Sequence, residues 1–207
     1  MKKTMIALFA TGIILISCKT EQKKDDTAAS KSETATMDSA TMMKNWMDYM
    51  TPGEPHAILA KSEGEWTSVN TMWMQPDAPP TVTEGSCKNK MIMGGRYLLS
   101  ENTGNFNGMP FEGVATTGYD NMKKVFFNTW IDNFGTGVMT SEGTYDSTTK
   151  TISFTGKMMD PMTGKEISFR ETFAMPDDNT QIMEMFGPRP DGKGEYKNMN
   201  IVYTRKK

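Results

Sequence analysis

From Gly64 to the C-terminus, apolar and polar residues alternate with a period of two. Ile152, Phe154, Gly156 and Met158 interleave with Thr151, Ser153, Thr155 and Lys157, and Ile167, Phe169, Phe173 and Met175 interleave with Ser168, Arg170 and Thr172. Successive side chains of a strand face opposite sides, so this pattern predicts half-buried β-strands. Turn-forming clusters interrupt it at spacings of roughly 10–15 residues, among them Asn107-Gly108, Asp132-Asn133, Asp160 to Gly164 and Pro190-Asp191-Gly192. The expectation is an all-β domain over residues 54–207, an antiparallel up-and-down barrel of about ten strands. Closure is favoured because it removes unpaired strand edges; a two-sheet sandwich is the competing arrangement.

Upstream, the period changes. Met43, Trp46, Met47 and Met50 recur at three- and four-residue steps, which predicts a short amphipathic helix within residues 42–53, ended by Pro52-Gly53. A second short helix opens at Pro55, a favoured first helical position, and turns Ile58 and Leu59 inward. Residues 18–41 are rich in Lys, Thr, Ser, Ala, Glu and Asp and nearly lack large apolar side chains, so they read as a flexible tether. Before them, Lys2 and Lys3 precede an apolar run, Met5 to Ile16, that is too short to span a bilayer core of ~30 Å as a helix.

That run closes on Leu15-Ile16-Ser17-Cys18, which resembles the lipobox of bacterial lipoproteins. There the Cys thiol receives a diacylglyceryl group, the chain is cut before it, and the new amine is acylated. The resemblance implies that residues 1–17 are a signal peptide, that Cys18 is the lipidation site, and that the partner is a membrane of the cell envelope, reached through the lipid anchor. An ordinary signal peptide or an uncleaved helix is the alternative. Gln22-Lys23-Lys24-Asp25-Asp26 resembles the charged signal that sends some lipoproteins of Bacteroidetes-type bacteria to the cell surface; the periplasmic face of the outer membrane is the other destination.

Charge narrows the partners. The full chain carries 23 basic and 25 acidic residues, and loss of Lys2 and Lys3 with the leader leaves a net of −4. Such a chain has no bulk field to attract nucleic acid. With Cys18 taken by lipid, Cys87 has no partner for an intramolecular disulfide. It alternates with Gly85, Asn89 and Met91, as a buried thiol would.

Gly64-Glu65-Trp66 stands directly after a short helix, and Arg205 lies in the last strand. Lipocalins and their calycin relatives place a G-x-W at that point with an Arg of the final strand over the indole. The resemblance implies a structural plug of Gly64, Trp66 and Arg205 with a cation–π contact. A wider set is similar, in order, to the family called domain of unknown function 1579: Pro52-Gly53-Glu54-Pro55-His56, Gly64-Glu65-Trp66, Gly94-Gly95-Arg96, Gly118-Tyr119-Asp120, Trp130, Thr163-Gly164-Lys165 and Tyr203-Thr204-Arg205. It implies a calycin-like barrel in an exported bacterial protein and no particular activity. Ten-strand relatives such as the nitrobindins ligate haem through a His late in the barrel. The sole His here, His56, precedes the first strand, so no cofactor is expected.

Several residues are candidates for ligand binding. His56 is either a contact at the barrel mouth or a structural residue of the plugging helix. Glu171 shares a face with Ile167, Phe169 and Phe173; if that face points inward, a carboxylate sits in an apolar cavity with a raised pKa. Trp130, Asn128, Tyr97 and Tyr119 offer aromatic surface with polar handles, either as pocket wall or as plain core. No Ser-His-Asp order, zinc spacing or phosphate loop is present, so no catalytic or metal residue is assigned. The reading is an exported lipoprotein that binds a small apolar or amphipathic ligand. The alternatives are an enzyme acting on a lipid-like substrate through Glu171 or His56, and a Cu(I)-binding protein that uses Met37, Met42, Met43, Met47, Met50 and His56 of this chain's 21 methionines.

Overall fold

The structure is a computed structural model that describes residues 38–207. The expectations for residues 1–37, Cys18 included, lie outside the described residues. Ten antiparallel strands follow one another around a closed barrel, each paired with its neighbours in sequence and β1 paired with β10. They are β1 (Gly64–Met72), β2 (Thr81–Ile92), β3 (Tyr97–Phe106), β4 (Met109–Asp120), β5 (Val125–Asp132), β6 (Met139–Asp146), β7 (Thr151–Asp160), β8 (Lys165–Asp177), β9 (Thr180–Pro188) and β10 (Glu195–Arg205). The up-and-down barrel expected from the alternation is the observed fold, and the sandwich is not. No helix among the described residues is long and apolar enough to cross a membrane.

Two helices precede the barrel, α1 (Ser39–Met50) and α2 (Glu54–Ala60). Helix α1 begins three residues before the expected start at 42, because Asp38 caps it: Oδ1 accepts from the backbone N–H groups of Ala40 and Thr41 at 2.9 and 3.0 Å. Its apolar side chains are exposed, Met43 and Trp46 at 62% each. The helix is held by its C-terminal carbonyls instead. Asn121 Nδ2, in the turn between β4 and β5, donates to the carbonyls of Asp48, Tyr49 and Thr51, and Arg96 donates to that of Met50. Helix α2 buries Leu59 and His56. Leu59 joins Leu98, Phe126, Ile152, Phe154 and Met175 in the apolar core, so α2 fills the end of the barrel at which β1 begins.

Register fixes which residues face inward. The chain of pairings Trp66–Cys87–Asn102–Gly113–Asp132 runs from β1 to β5, and Trp66 pairs with Arg205 on the other side. Trp66 has no exposed surface. Its Nε1–H donates to Ser62 O at 3.0 Å, and the same carbonyl accepts from Asn89 Nδ2 at 3.0 Å. The Arg205 guanidinium carbon lies 4.1 Å from the centroid of the Trp66 ring. Arg205 also donates to three backbone carbonyls, from Nε to Asp178 at 2.6 Å, from Nη2 to Lys61 at 2.7 Å and from Nη1 to Glu63. Gly64, at φ +126°, is the only residue type that suits this corner: a Cβ there would lie 2.7 Å from Arg205 Nη1.

Removing the indole leaves a cavity at the one place where helix, first strand and last strand meet. Trp66→Ala should lower unfolding stability by about 3–5 kcal/mol in urea denaturation. A loss below about 1 kcal/mol would show that the corner relaxes around the gap.

Candidate functional site

The inner face of the barrel is mixed rather than uniformly apolar. Following the register around the wall, Ser68 and Asn70 of β1, Asn102 of β3, Asn128 and Trp130 of β5, Ser141 of β6, Glu171 of β8 and Tyr203 of β10 all point inward. Beside them stand Phe173, Met183, Met185, Met199 and Ile201. Several inward residues, among them Asn102, Asn128, Glu171, Met183 and Tyr203, are only partly buried. Side chains that face the axis of a closed barrel and still keep accessible surface line a hollow, not a packed core.

Glu171 is the central group. It lies opposite Phe154 on β7 and Met185 on β9, so neither neighbouring strand offers it a charge or a donor. Its carboxyl has no hydrogen-bond partner among the described residues, nor has the Tyr203 hydroxyl. Only Asn198 Oδ1 is both unpartnered and fully closed off among the buried side-chain atoms. The Glu171 and Tyr203 oxygens therefore open onto free space within the hollow. The wall keeps bulk water from Glu171, and this desolvation pushes its pKa from 4.5 up to about 7. Tyr203 is raised first by burial, then by the nearby Cys87 and Glu171. Cys87 is pushed up to about 12 by burial and donates to Asn89 Oδ1 at 3.1 Å; a thiol held protonated is no nucleophile.

The remaining candidates fall into three places. Trp130 faces inward near the end opposite α2, where its ring stacks on Phe111 with centroids 6.2 Å apart. Its Nε1–H donates to Asp132 Oδ2 at 2.7 Å. Gly113 makes room for it, since a Cβ there would come within 2.4 Å of the indole. Asn128 Oδ1 accepts from Thr117 Oγ1 at 3.2 Å. Tyr119 points inward at the α2 end, edge-on to Phe126 and to His56. His56 is a cap rather than a wall residue: its Nδ1 accepts from Gly53 N–H at 3.0 Å. Burial, and then the charge of Arg96, lowers its pKa. The contacts of His56 are with Gly53 and Tyr119, whereas Glu171 lies opposite Phe154 and Met185, so the two share no hydrogen bond. Tyr97 lies on the outer face, packed on Phe127 across Gly118, because its neighbour Leu98 takes the inward position.

A groove of about 480 Å³ on the wall is lined by Lys157, Arg170, Phe186 and Glu195 among others. Its charges are already engaged: Arg170 pairs with Glu195 and lies 3.7 Å over the Phe186 ring. Among the described residues no cluster of three or more His, Cys, Asp or Glu side chains could hold a metal ion.

Residues 51–205 match the family described as Protein of unknown function (DUF1579). The chain belongs to that family. No curated protein matches it. Among solved structures, it is similar to Rv2717c from M. tuberculosis, at 14% identity and a TM-score of 0.56, with 75% of this chain and 100% of that chain covered. It is also similar to the S-type phycobiliprotein lyase CPES from Guillardia theta, at 9% identity and a TM-score of 0.52, with 78% of this chain and 97% of that chain covered. At such identities the likeness is one of fold.

Two inward residues of this DUF1579 barrel, Tyr203 and Asp132, were read from the sequence only as part of a family motif and of a turn, not as candidate ligand contacts. Each stands two positions from a residue that was singled out, Arg205 and Trp130, so period-two parity was the available signal.

Between pH 4.5 and about 7 the folded protein keeps a proton on Glu171 that the unfolded chain has lost. Stability from this group therefore falls as pH rises through that window and is level outside it. Glu171→Gln should match the wild type at about pH 4 and exceed it by at most about 3 kcal/mol at about pH 8. Urea midpoints across the range measure this; a pH-independent difference would contradict the burial of an unpaired carboxyl.

Proposed function

We propose that this DUF1579 barrel is a non-enzymatic binding module that holds a small apolar or amphipathic molecule in its hollow. One observation carries the reading: the inward Glu171 carboxyl and Tyr203 hydroxyl stay unbonded by protein while methionine and aromatic side chains surround them. A buried polar group without a partner costs free energy, so it persists where something other than the protein meets it. Adaptable thioethers suit an apolar ligand body. The loops at the end opposite α2 expose Met74, Phe134, Val138 and Met162, an apolar rim that favours passage of such a molecule.

We further propose that the protein works at a membrane of the cell envelope, tied there by acyl chains on Cys18. The lipobox-like sequence supports this, and more than one acyl chain gives a lasting anchor without a transmembrane helix.

Native mass spectrometry of the full chain, extracted from membranes in mild detergent, tests the first proposal. It should reveal a small-molecule adduct that is released on denaturation. Protein that carries no adduct and gives no fluorescence rise with N-phenyl-naphthylamine would contradict it. For the anchor, Cys18→Ser should abolish incorporation of labelled palmitate and move the protein to the soluble envelope fraction; unchanged labelling would contradict it.

A further inference from the structure

The inward-facing ionisable groups of the barrel are few. Reading the register around the wall, the inward positions from β1 to β10 are uncharged except Asp132 on β5, Asp160 on β7, Lys165 and Glu171 on β8 and Arg205 on β10. Asp160 and Lys165 face each other where β7 ends and β8 begins, at the exposed rim, and Asp160 accepts from Met162 N–H and Thr163 Oγ1; Arg205 and Asp132 are engaged as well. The Arg205 guanidinium is held by the carbonyls of Lys61, Glu63 and Asp178 and lies over Trp66 at the closed end. Asp132, near the other end, accepts from Trp130 Nε1 through one oxygen and from the Phe134 backbone through the other. The Glu171 carboxyl has no hydrogen-bond or ion-pair partner among the described residues; Lys165 is exposed at the rim, six residues away along β8, or about 20 Å at ~3.3 Å per residue.

An acid flanked by apolar side chains, with Arg205 engaged at the closed end and Lys165 out at the rim, fits a ligand that brings its own positive charge. We infer that the hollow selects an amphipathic amine: a molecule with an apolar body and a protonated primary or secondary ammonium that pairs with the Glu171 carboxylate and donates to the Tyr203 hydroxyl oxygen. The inference deepens the binding-module reading and rests on it. The body of the molecule would lie against Phe173, Met183, Met185 and Ile201, which share the inner face with Glu171. An ammonium is stabilised here by a charge-assisted hydrogen bond in a poorly screened site. A carboxylate ligand would meet like charge, and a neutral alcohol would leave the ion pair unmade.

The groups that face Glu171 also set its pH behaviour. They are Phe154 from β7, Met185 from β9 and Tyr203 from β10, with Arg205 nearer the closed end and Asp132, Asp160 and Lys165 nearer the other. Burial keeps the Tyr203 hydroxyl and the Cys87 thiol protonated at neutral pH. An alkyl ammonium, like a lysine, stays charged up to about pH 10. Any change in its affinity between about pH 5 and about pH 8 then reports the ionisation of Glu171, and the affinity rises with pH as the carboxylate forms.

The test is isothermal titration of the full chain with three probes of one chain length: decylammonium, decanol and decanoate. At about pH 8, decylammonium should bind at least ~10-fold more tightly than decanol, and decanoate more weakly than either. The amine preference should collapse at about pH 5. It should be lost in Glu171→Gln, which the pH analysis above expects to fold at least as well as the wild type. Tyr203→Phe should weaken the amine by ~3- to 10-fold and leave decanol unchanged. If all three probes bind equally, or Glu171→Gln keeps the preference, the hollow remains and the amine selectivity is overturned. If no probe binds at either pH, the binding-module reading falls as well.

Discussion

The barrel depends on one closed corner. The Trp66 indole is wholly buried, its N–H meets the Ser62 carbonyl, and the Arg205 guanidinium covers its face while reaching three further carbonyls. These contacts join the end of α2, the start of β1 and the end of β10, three pieces that sequence separates by most of the domain. Without them the first and last strands would be edges, and an open sheet of ten strands exposes unpaired backbone on both sides. The Ser62 carbonyl also accepts from Asn89, so the same point fixes β2. The geometry favours one end for closure and leaves the opposite end to loops.

A barrel of this circumference cannot be filled by its own side chains along its full length. The α2 end is filled by Leu59, Leu98, Phe126, Ile152 and Phe154. Beyond that cluster the inner wall carries amides, hydroxyls and Glu171 between methionines and aromatics. Apolar side chains there would have given more stability, and burial of an unpaired carboxyl, which raises the pKa of Glu171, opposes it. Residues that lower stability yet remain aimed into a hollow are the usual sign of a site.

Much of this was legible in the sequence, because a strand writes its two faces at alternate positions. The inward run Ile152, Phe154, Gly156, Met158 and the run through Glu171 both emerge from parity alone. Trp66 and Arg205 could be joined across most of the domain because the resemblance of the G-x-W to that of lipocalins implied the contact. Parity fails where both faces are mixed. Tyr97 and Leu98 are both large, and only the pairing of Leu98 with Met91 and Thr117 shows which one turns inward. The helical stripe of Met43, Trp46 and Met47 marks a helix that is present, but not how it is held. Periodicity identifies a face but not a surface to cover it, and α1 is held by backbone carbonyls that Asn121 and Arg96 bind, an arrangement with no sequence pattern. The unpartnered state of Glu171 was also out of reach, since it depends on what β7, β9 and β10 bring beside it.

Hydrogen exchange at the Trp66 indole N–H tests the closed corner most directly. That proton is buried and bonded to Ser62, so it should exchange only when the whole domain unfolds, with the urea dependence of global unfolding. Exchange that is fast and insensitive to denaturant would mean that the corner opens by itself, and the closed barrel with its enclosed carboxyl would no longer describe the protein.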